Sequence, residues 1–500
     1  MPGLGQVPRD ELIVLAGEQA DQLAAQDRQI TALATQVADL VEANEQLTAK
    51  LERMEHLLSR NSGNSSLPPS VDDQPGRTPP PGKPQRGGQG KRNPGKQPGA
   101  AGSYLAWSGN PGRTVPHFPR GACACGADLT DAADLGVAAS YQEIEIPEMA
   151  VRVIQHDVHE AACRCGRVHR AAAPAGAGTP GTVTYGISLQ AWCVYLMAAH
   201  AIPVHRCAEL IQALTGAKPS PGFVHGMLAR AAAAVRHANQ LIRALIITAS
   251  VICADETPIR VGPGPKTRKR HLLVACTSLL TYYFLGDRSL ASFEAFVFPD
   301  LTGVVVHDRY QNYDKFPGIT HQLCCQHLLR DLADAAQSCP DAIWPGQTAE
   351  ALQALIHAAN LAREQGLTAV PDAEAAPHLK LFRHGVLAGP SAVRRRPGAN
   401  VEQPPARLLL ECLHDREDDV LRFVSDMRIP PTSNQAERDV RPAKTQQKIS
   451  GRLRSEQATR HRYAIRGYIS TAAKHGISVF AALRDALTGN PWMPPMPAQA

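Results

Sequence analysis

The chain reads as a multidomain α/β protein: an N-terminal coiled coil, a small cysteine knuckle and a helical domain precede a sheet-containing catalytic core with a helical insertion. Three observations lead there. A heptad repeat runs from Leu23 to Leu58, two C-x-C-G motifs follow, and beyond residue 250 short apolar strands run into acidic residues. Five hundred residues correspond to about three domains at ~150 residues each. Lys+Arg of 52 against Asp+Glu of 46 leaves a net charge of +6, so affinity for nucleic acid has to come from local patches. No apolar run reaches the ~18 residues of a membrane span, because His200 breaks the stretch from Leu189 to Ile202 and Arg243 interrupts that from Leu241 to Ala254. The start, MPGLGQVPRDEL, has no basic-then-apolar signal pattern. Twelve cysteines in such a chain read as metal ligands and buried thiols rather than disulfides. Membrane proteins, secreted disulfide scaffolds and wholly disordered chains are excluded on these grounds.

Residues 9–60 are expected to form a coiled-coil dimerisation helix. Leu23, Ile30, Val37, Asn44, Leu51 and Leu58 take the a positions, and Leu33, Leu40, Leu47 and Met54 the d positions. A 3.5-residue period buries a seam only against another helix, and an amide at Asn44 favours a parallel two-stranded register. The competing reading is an amphipathic helix folded back on its own domain. Residues 61–118 read as a disordered, basic Pro/Gly-rich linker. Between Gln74 and Ala127 there are eight Lys/Arg and no acid, which suits a tether lying along phosphates or simply a soluble spacer.

Residues 119–172 hold Cys123, Cys125, Cys163 and Cys165 in two C-x-C-G turns. Four thiolates on two tight turns suit a tetrahedral structural Zn²⁺. C-x-C is tighter than the usual C-x-x-C, so His156, His159 or His169 can stand in for one thiol, and four incidental cysteines are the alternative. The segment YQEIEIPEMAVRVIQHDVHE alternates apolar and polar residues, as hairpin strands supporting such a site do. Residues 180–248 are helical; PVHRCAELIQALTG, AKPS and PGFVHGMLARAAAAV have the pattern of a helix-turn-helix, or of a plain packing unit, with Gly216 ending the first helix and Ser220-Pro221 starting the second.

The chemistry begins in SVICADETPIRV, an apolar strand expected to end at Asp255-Glu256. RKRHLLVACTSLLTYYFLGD adds two strands of a meander, and GVVVHD is a buried strand ending at His307-Asp308. An acid where a hydrophobic strand surfaces is costly unless solvated, paired or holding a metal. Two such ends side by side direct carboxylates at one spot, as RNase H-like enzymes do to bind two Mg²⁺ ions. A third acid, Glu437, stands in SNQAERDVRPAKTQQKISGRLRS, on a helix whose Arg441, Lys444 and Lys448 recur at helical spacing. Asn434 with Glu437 three residues on is also a capping box, and either aspartate can be a solvated loop acid.

DETPIRV, VHDRYQNY with HQLCCQHLLRDL, and SNQAERDVRPAKTQQKISGRLRS together resemble the transposases of the insertion sequence 66 family, and the upstream order and a terminal GNPWMP are similar too. The resemblance implies an RNase H-like DDE catalytic domain over 249–475, interrupted by a helical insertion at about 330–428 and followed by a C-terminal helix and tail at 476–500. It implies a DNA transposase with Asp255, Asp308 and Glu437 as catalytic, metal-binding triad for Mg²⁺ (or Mn²⁺), and Arg438, Arg441, Lys444, Lys448 and Arg452 on the DNA. Element ends and target DNA, a homodimer or higher oligomer, companion proteins of the same element and a bacterial, cytoplasmic, nucleoid-associated setting belong to the same expectation. Cys324-x-x-His327 has no role readable from the sequence. The alternative is a zinc-dependent dimeric DNA-binding regulator with an inactive RNase H-like domain.

Overall fold

The structure is a computed structural model and describes residues 8–61, 105–174, 181–262, 268–398 and 401–496. Most of the linker expected at 61–118 lies outside these residues. The described chain divides into two compact units, one of 8–61, 181–208 and 220–496, the other of 105–174 and 209–219.

In the first unit, helix α1 (Arg9–Ser59) runs for 51 residues, with no proline inside it and with Asp10 and Glu11 in the first turn, where the helix dipole favours them. Every a and d residue from Leu23 to Leu58 except Gln26, a weak early d, and Asn44 is a large apolar side chain left exposed, Leu23 at 62% and Leu40 at 69%. Among the described residues the strands of the second unit are β1 (Glu160–Ala162) and β2 (Val168–Arg170), paired antiparallel around the second C-x-C-G turn. The hairpin expected at 141–160 is therefore corrected: up to His159 the segment is irregular, with Ile144, Ile146 and Val153 exposed. Alternation alone gives no strand where no neighbouring chain accepts the ladder hydrogen bonds.

Helices α2 (Ile187–Val194), α3 (Val204–Thr215), α4 (Pro221–Ala234) and α5 (Arg236–Ile247) follow, with a π-helical turn, Tyr195–Ala199, after α2. Gly216 closes α3 at φ +74°, and the Ser220 side chain caps α4 by accepting from the Phe223 amide. The sheet consists of β3 (Val251–Val261), β4 (Arg268–Cys276), β5 (Thr281–Gly286), β6 (Val304–His307) and β7 (Thr320–Leu323), with the short helix α6 (Leu290–Glu294) before β6. Its order is β5-β4-β3-β6-β7; β3, β4 and β5 form an antiparallel meander, while β6 and β7 run parallel to β3. Helices α7 (Cys325–Ser338), α8 (Trp344–Glu364), α9 (Asp372–Ala392), α10 (Pro405–Asp415) and α11 (Glu417–Ser425) fill the chain between β7 and α12 (Asn434–Ser450), and α13 (Glu456–Lys474) and α14 (Val479–Leu487) end it. Among the described residues no helix is long and apolar enough to cross a membrane.

Alternation along β3 separates two cores. Cys253, Ile259 and Val261 join Val306 of β6 and residues of α7 to α12 on one face, whereas Ile252 and Ala254 join Val305, α5 and a cluster of Phe293, Phe296, Phe298 and Tyr313 on the other. Helix α12 lays Ala436, Val440 and Ala443 on the first face as a helical stripe. Asp439 lies in the same stripe, buried because Lys474 Nζ stands 2.7 Å away and Thr281 Oγ1 donates to it at 3.0 Å.

Asp255 and Glu256 do not end their strand, as the sequence suggested: β3 continues to Val261 because β4 pairs with it along its whole far half. What ends there is the parallel partner, since β3 and β6 are registered Val251↔Val304 to Cys253↔Val306. Gly303 makes that register possible. A Cβ at this position would meet the Ala249 carbonyl oxygen at 2.4 Å and that of Ser250 at 2.8 Å, and the next amide, of Val304, donates to Ser250 O at 2.8 Å. We expect Gly303→Ala to cost about 1–3 kcal/mol by forcing backbone apart. Urea denaturation measures this; an unchanged midpoint contradicts the close approach.

Candidate active site and cysteine turns

Continuing the β3–β6 register two residues past Cys253↔Val306 brings Asp255 level with Asp308, on the face that carries α7 and α12. Asp255 is half-buried, and its Oδ1 accepts from the Glu256 amide at 2.8 Å. Burial, then the negative charge of Asp308, pushes its carboxyl up to about 6, against the pull of His327 on α7 and Lys444 on α12. Asp308 Oδ1 accepts from the Tyr310 amide at 3.1 Å, and Arg309 between them has φ +73°, a left-handed conformation uncommon without glycine. The Arg309 guanidinium bonds Asp331 of α7 and anchors this turn.

Glu437 reaches the region from the first turn of α12. The cap of that helix is Ser433, not Asn434, with no side-chain capping bond, so the capping-box reading of Glu437 does not hold. Its carboxylate instead lies 3.7 Å from Arg330 of α7. Of the three acids expected from the sequence, Asp255 and Asp308 fall at one level of the continued register and feel each other's charge, while Glu437 is held by an arginine on the neighbouring helix. Among the described residues no three His, Cys, Asp or Glu side chains are gathered at metal-ligand spacing. The donor chemistry nevertheless suits a hard divalent cation: two carboxylates share one level of the sheet, and the repulsion between them marks a local excess of negative charge.

Cys324 and His327 stand behind this edge. Cys324 is the N-cap residue of α7, its Sγ accepts from the Ser433 amide at 3.2 Å, and the Cys325 amide donates to Pro431 O at 2.9 Å. The start of the Glu437 helix is tied to the end of β7 by these two bonds. Burial works to lower His327, but the adjoining Cys324 thiol overcomes it and raises the imidazole to about 9. Of the residues expected on DNA, Arg438, Arg441, Lys444 and Lys448 are exposed on α12, and Arg452 is exposed just beyond it.

Glu256, which points to the opposite face, escaped the sequence reading as a site residue. Its side chain is 1% exposed; Arg288 Nη2 donates to Oε1 at 2.8 Å and Tyr313 Oη to Oε2 at 3.1 Å. The Arg288 carbonyl in turn accepts from Tyr310 Oη at 2.9 Å and Asn312 Nδ2 at 2.8 Å, so the loop after Asp308 is sewn to the buried carboxyl. Only the polar and aromatic density of DRYQNY hinted at this.

In the other unit the two cysteine motifs fold alike. Cys123 N donates to Ala127 O and Gly126 N to Cys123 O, each at 2.8 Å; Cys163 N donates to Arg167 O and Gly166 N to Cys163 O, also at 2.8 Å. Gly126 at φ +89° and Gly166 at φ +83° adopt a conformation that side chains disfavour. All four thiols are exposed, two on each turn, and the turns are not gathered into one cluster.

Burial, then the charges of Asp308 and Asp255, pushes Glu256 up to about 8, against Arg288 and Tyr313. The folded chain therefore keeps a proton there that the unfolded chain has released. The stability tied to this group is complete below the ordinary value of 4.5 and falls as the pH rises through about 8. In metal-free buffer, Glu256→Gln should gain stability relative to the wild type between pH 5 and pH 8.5. Urea midpoints across that range measure the gap, and a pH-independent gap contradicts the assignment.

No curated protein matches the chain. A family of unknown function matches residues 19–105. The model of the transposase IS66 family matches residues 182–461, which takes in the whole sheet, both aspartates and Glu437, and more than half of the chain. The chain belongs to the IS66 transposase family.

Proposed function

We propose that this transposase cleaves and joins the DNA ends of its element on an RNase H-like core, with Asp255, Asp308 and Glu437 as its acids. The observation that supports the reading is the β3–β6 register: continued two residues, it brings Asp255 level with Asp308 where parallel pairing stops, on the face against which the helix bearing the third acid packs. Asp255 and Asp308 would hold Mg²⁺ or Mn²⁺ through their oxygens, with Glu437 joining from α12 on leaving Arg330. The bound ions would supply the charge that activates a water or 3′-hydroxyl and stabilises the departing 3′-oxygen. The protein's own residues orient: Arg438, Arg441, Lys444, Lys448 and Arg452 hold the phosphodiester backbone, and the Glu256–Arg288 network keeps the Asp308 loop in place. No covalent link between protein and DNA is needed.

The exposed heptad stripe of α1 supports a parallel dimer that brings two active sites to one complex. The matched geometry of the two C-x-C-G turns supports a structural Zn²⁺ that draws them together. Two further measurements check these parts. Light scattering should find a dimer that Leu33→Glu with Leu40→Glu converts to monomer, and metal analysis should find one zinc per chain, lost in Cys123→Ser. A monomeric wild type or a zinc-free folded protein contradicts the respective part.

With duplex element ends and Mg²⁺, Asp255→Asn, Asp308→Asn and Glu437→Gln should each lower strand cleavage about a hundredfold or more, the scale of removing one electrostatic stabiliser from a transition state. DNA affinity should persist. Wild-type cleavage by Asp308→Asn sinks the triad. Specific binding without any metal-dependent cleavage by the wild type points instead to a zinc-dependent dimeric regulator with an inactive core.

A further inference from the structure

We propose that a cavity between α12, α13 and the π-helical turn is a phosphate site that takes a backbone phosphate of the bound DNA strand. The identity of the ligand rests on the proposed function; the chemistry of the site does not. The cavity has a volume of about 380 Å³ and is lined by Arg438 and Arg441 of α12, Arg462, Tyr463 and Arg466 of α13, and His200. No carboxylate lines it, and neither Arg438 nor Arg441 has an ion-pair partner among the described residues. Four guanidinium groups around one space repel each other unless an anion enters, and leaving a buried charge unpaired is costly.

Two of these arginines are built in. Arg462 is only 5% exposed, and its Nη1 donates to the Met197 carbonyl. Arg466 Nη1 donates to Ala199 O at 3.2 Å. Both carbonyls belong to the π-helical turn, a distortion that helices tend to keep at functional sites. Ala201, just beyond it, lines the cavity at φ +57°, a left-handed conformation costly for a residue with a Cβ. Its carbonyl accepts from Ser450 Oγ at the end of α12 and pins the strained backbone.

Donors remain for a ligand: Arg438 and Arg441 are exposed and hold no ion-pair partner among the described residues. Deeper in the wall, the Nε atoms of Arg462 and Arg466 and the Tyr463 hydroxyl are buried without a hydrogen-bond partner. Several planar forks converging on one volume match the oxygens of a phosphate, which accepts in more directions than a carboxylate. Arg441, which lines the cavity, stands one turn beyond Glu437 on the same side of α12, so a strand held by the acid triad passes onto this cavity along one helix.

The test uses the full-length protein and metal-free DNA binding measured across salt concentrations. Arg466→Gln should weaken binding about tenfold and reduce the slope of log K against log[salt] by about one, the signature of one lost phosphate contact. In a scan of duplexes each carrying one neutral methylphosphonate, one position should weaken the wild type and leave Arg466→Gln unaffected. Should that variant fail to fold, Arg466→Lys, which keeps the charge but loses the planar fork, repeats the methylphosphonate scan. A folded Arg466→Gln with an unchanged slope, or a folded variant that every methylphosphonate weakens as much as it does the wild type, overturns the site. Inorganic pyrophosphate that raises the melting temperature of the wild type but not of Arg466→Gln, with DNA slopes equal, assigns the cavity to free phosphate and overturns the DNA assignment. A wild type that binds no DNA defeats the proposed function itself.

Discussion

The parallel pairing of β3 with β6 is the constraint on which the rest of the site depends. Three residue pairs are registered, Val251↔Val304 to Cys253↔Val306, and continuing them two residues brings Asp255 level with Asp308 on the same face. Side chains alternate along a strand, so a slip of one residue would send one aspartate into the aromatic core and leave the other beside α12. The absence of a side chain at Gly303 allows the two backbones to approach closely enough at the start of the pairing. Helix α12 then docks on the same face through Ala436, Val440 and Ala443, with Asp439 and Lys474 closing the contact behind them.

Charge is divided between the two faces of the sheet. On the α12 side, the two aspartates repel, and His327 and Lys444 offset part of that repulsion. On the aromatic side, Glu256 has an arginine and a tyrosine for partners and holds its proton near neutrality, so it adds little negative charge to the pair. The same strand thus carries a half-buried carboxyl at Asp255 and a buried, partnered carboxyl one residue later. The strained Arg309 turn and the Cys324–Ser433 bond fix, respectively, the second aspartate and the start of the helix bearing Glu437.

Local signals were legible in the sequence wherever neighbours along the chain decide the structure. The heptads give one long helix, Gly216 and Ser220 punctuate α3 and α4, and the apolar runs before Asp255 and Asp308 are strands. Decisions made by distant partners were not. Pairing with β4 carries β3 past its acids, and Ile144, Ile146 and Val153 find no strand to join. Glu256 meets Arg288 and Tyr313, which lie 32 and 57 residues away, and Arg330 of α7 claims the Glu437 carboxylate that a capping box would have used. The cavity arginines likewise come from helices whose shared face no spacing in the sequence discloses.

The most direct measurement replaces Mg²⁺ with Fe²⁺ in the full-length protein, adds ascorbate and hydrogen peroxide, and maps the cuts that hydroxyl radicals formed at the bound iron make in the protein backbone. If Asp255 and Asp308 share a cation, cuts should cluster around residues 255 and 308, with a third set near 437, and excess Mg²⁺ should suppress all of them together. Cuts near only one aspartate, or a pattern that excess Mg²⁺ does not suppress, would contradict a shared site.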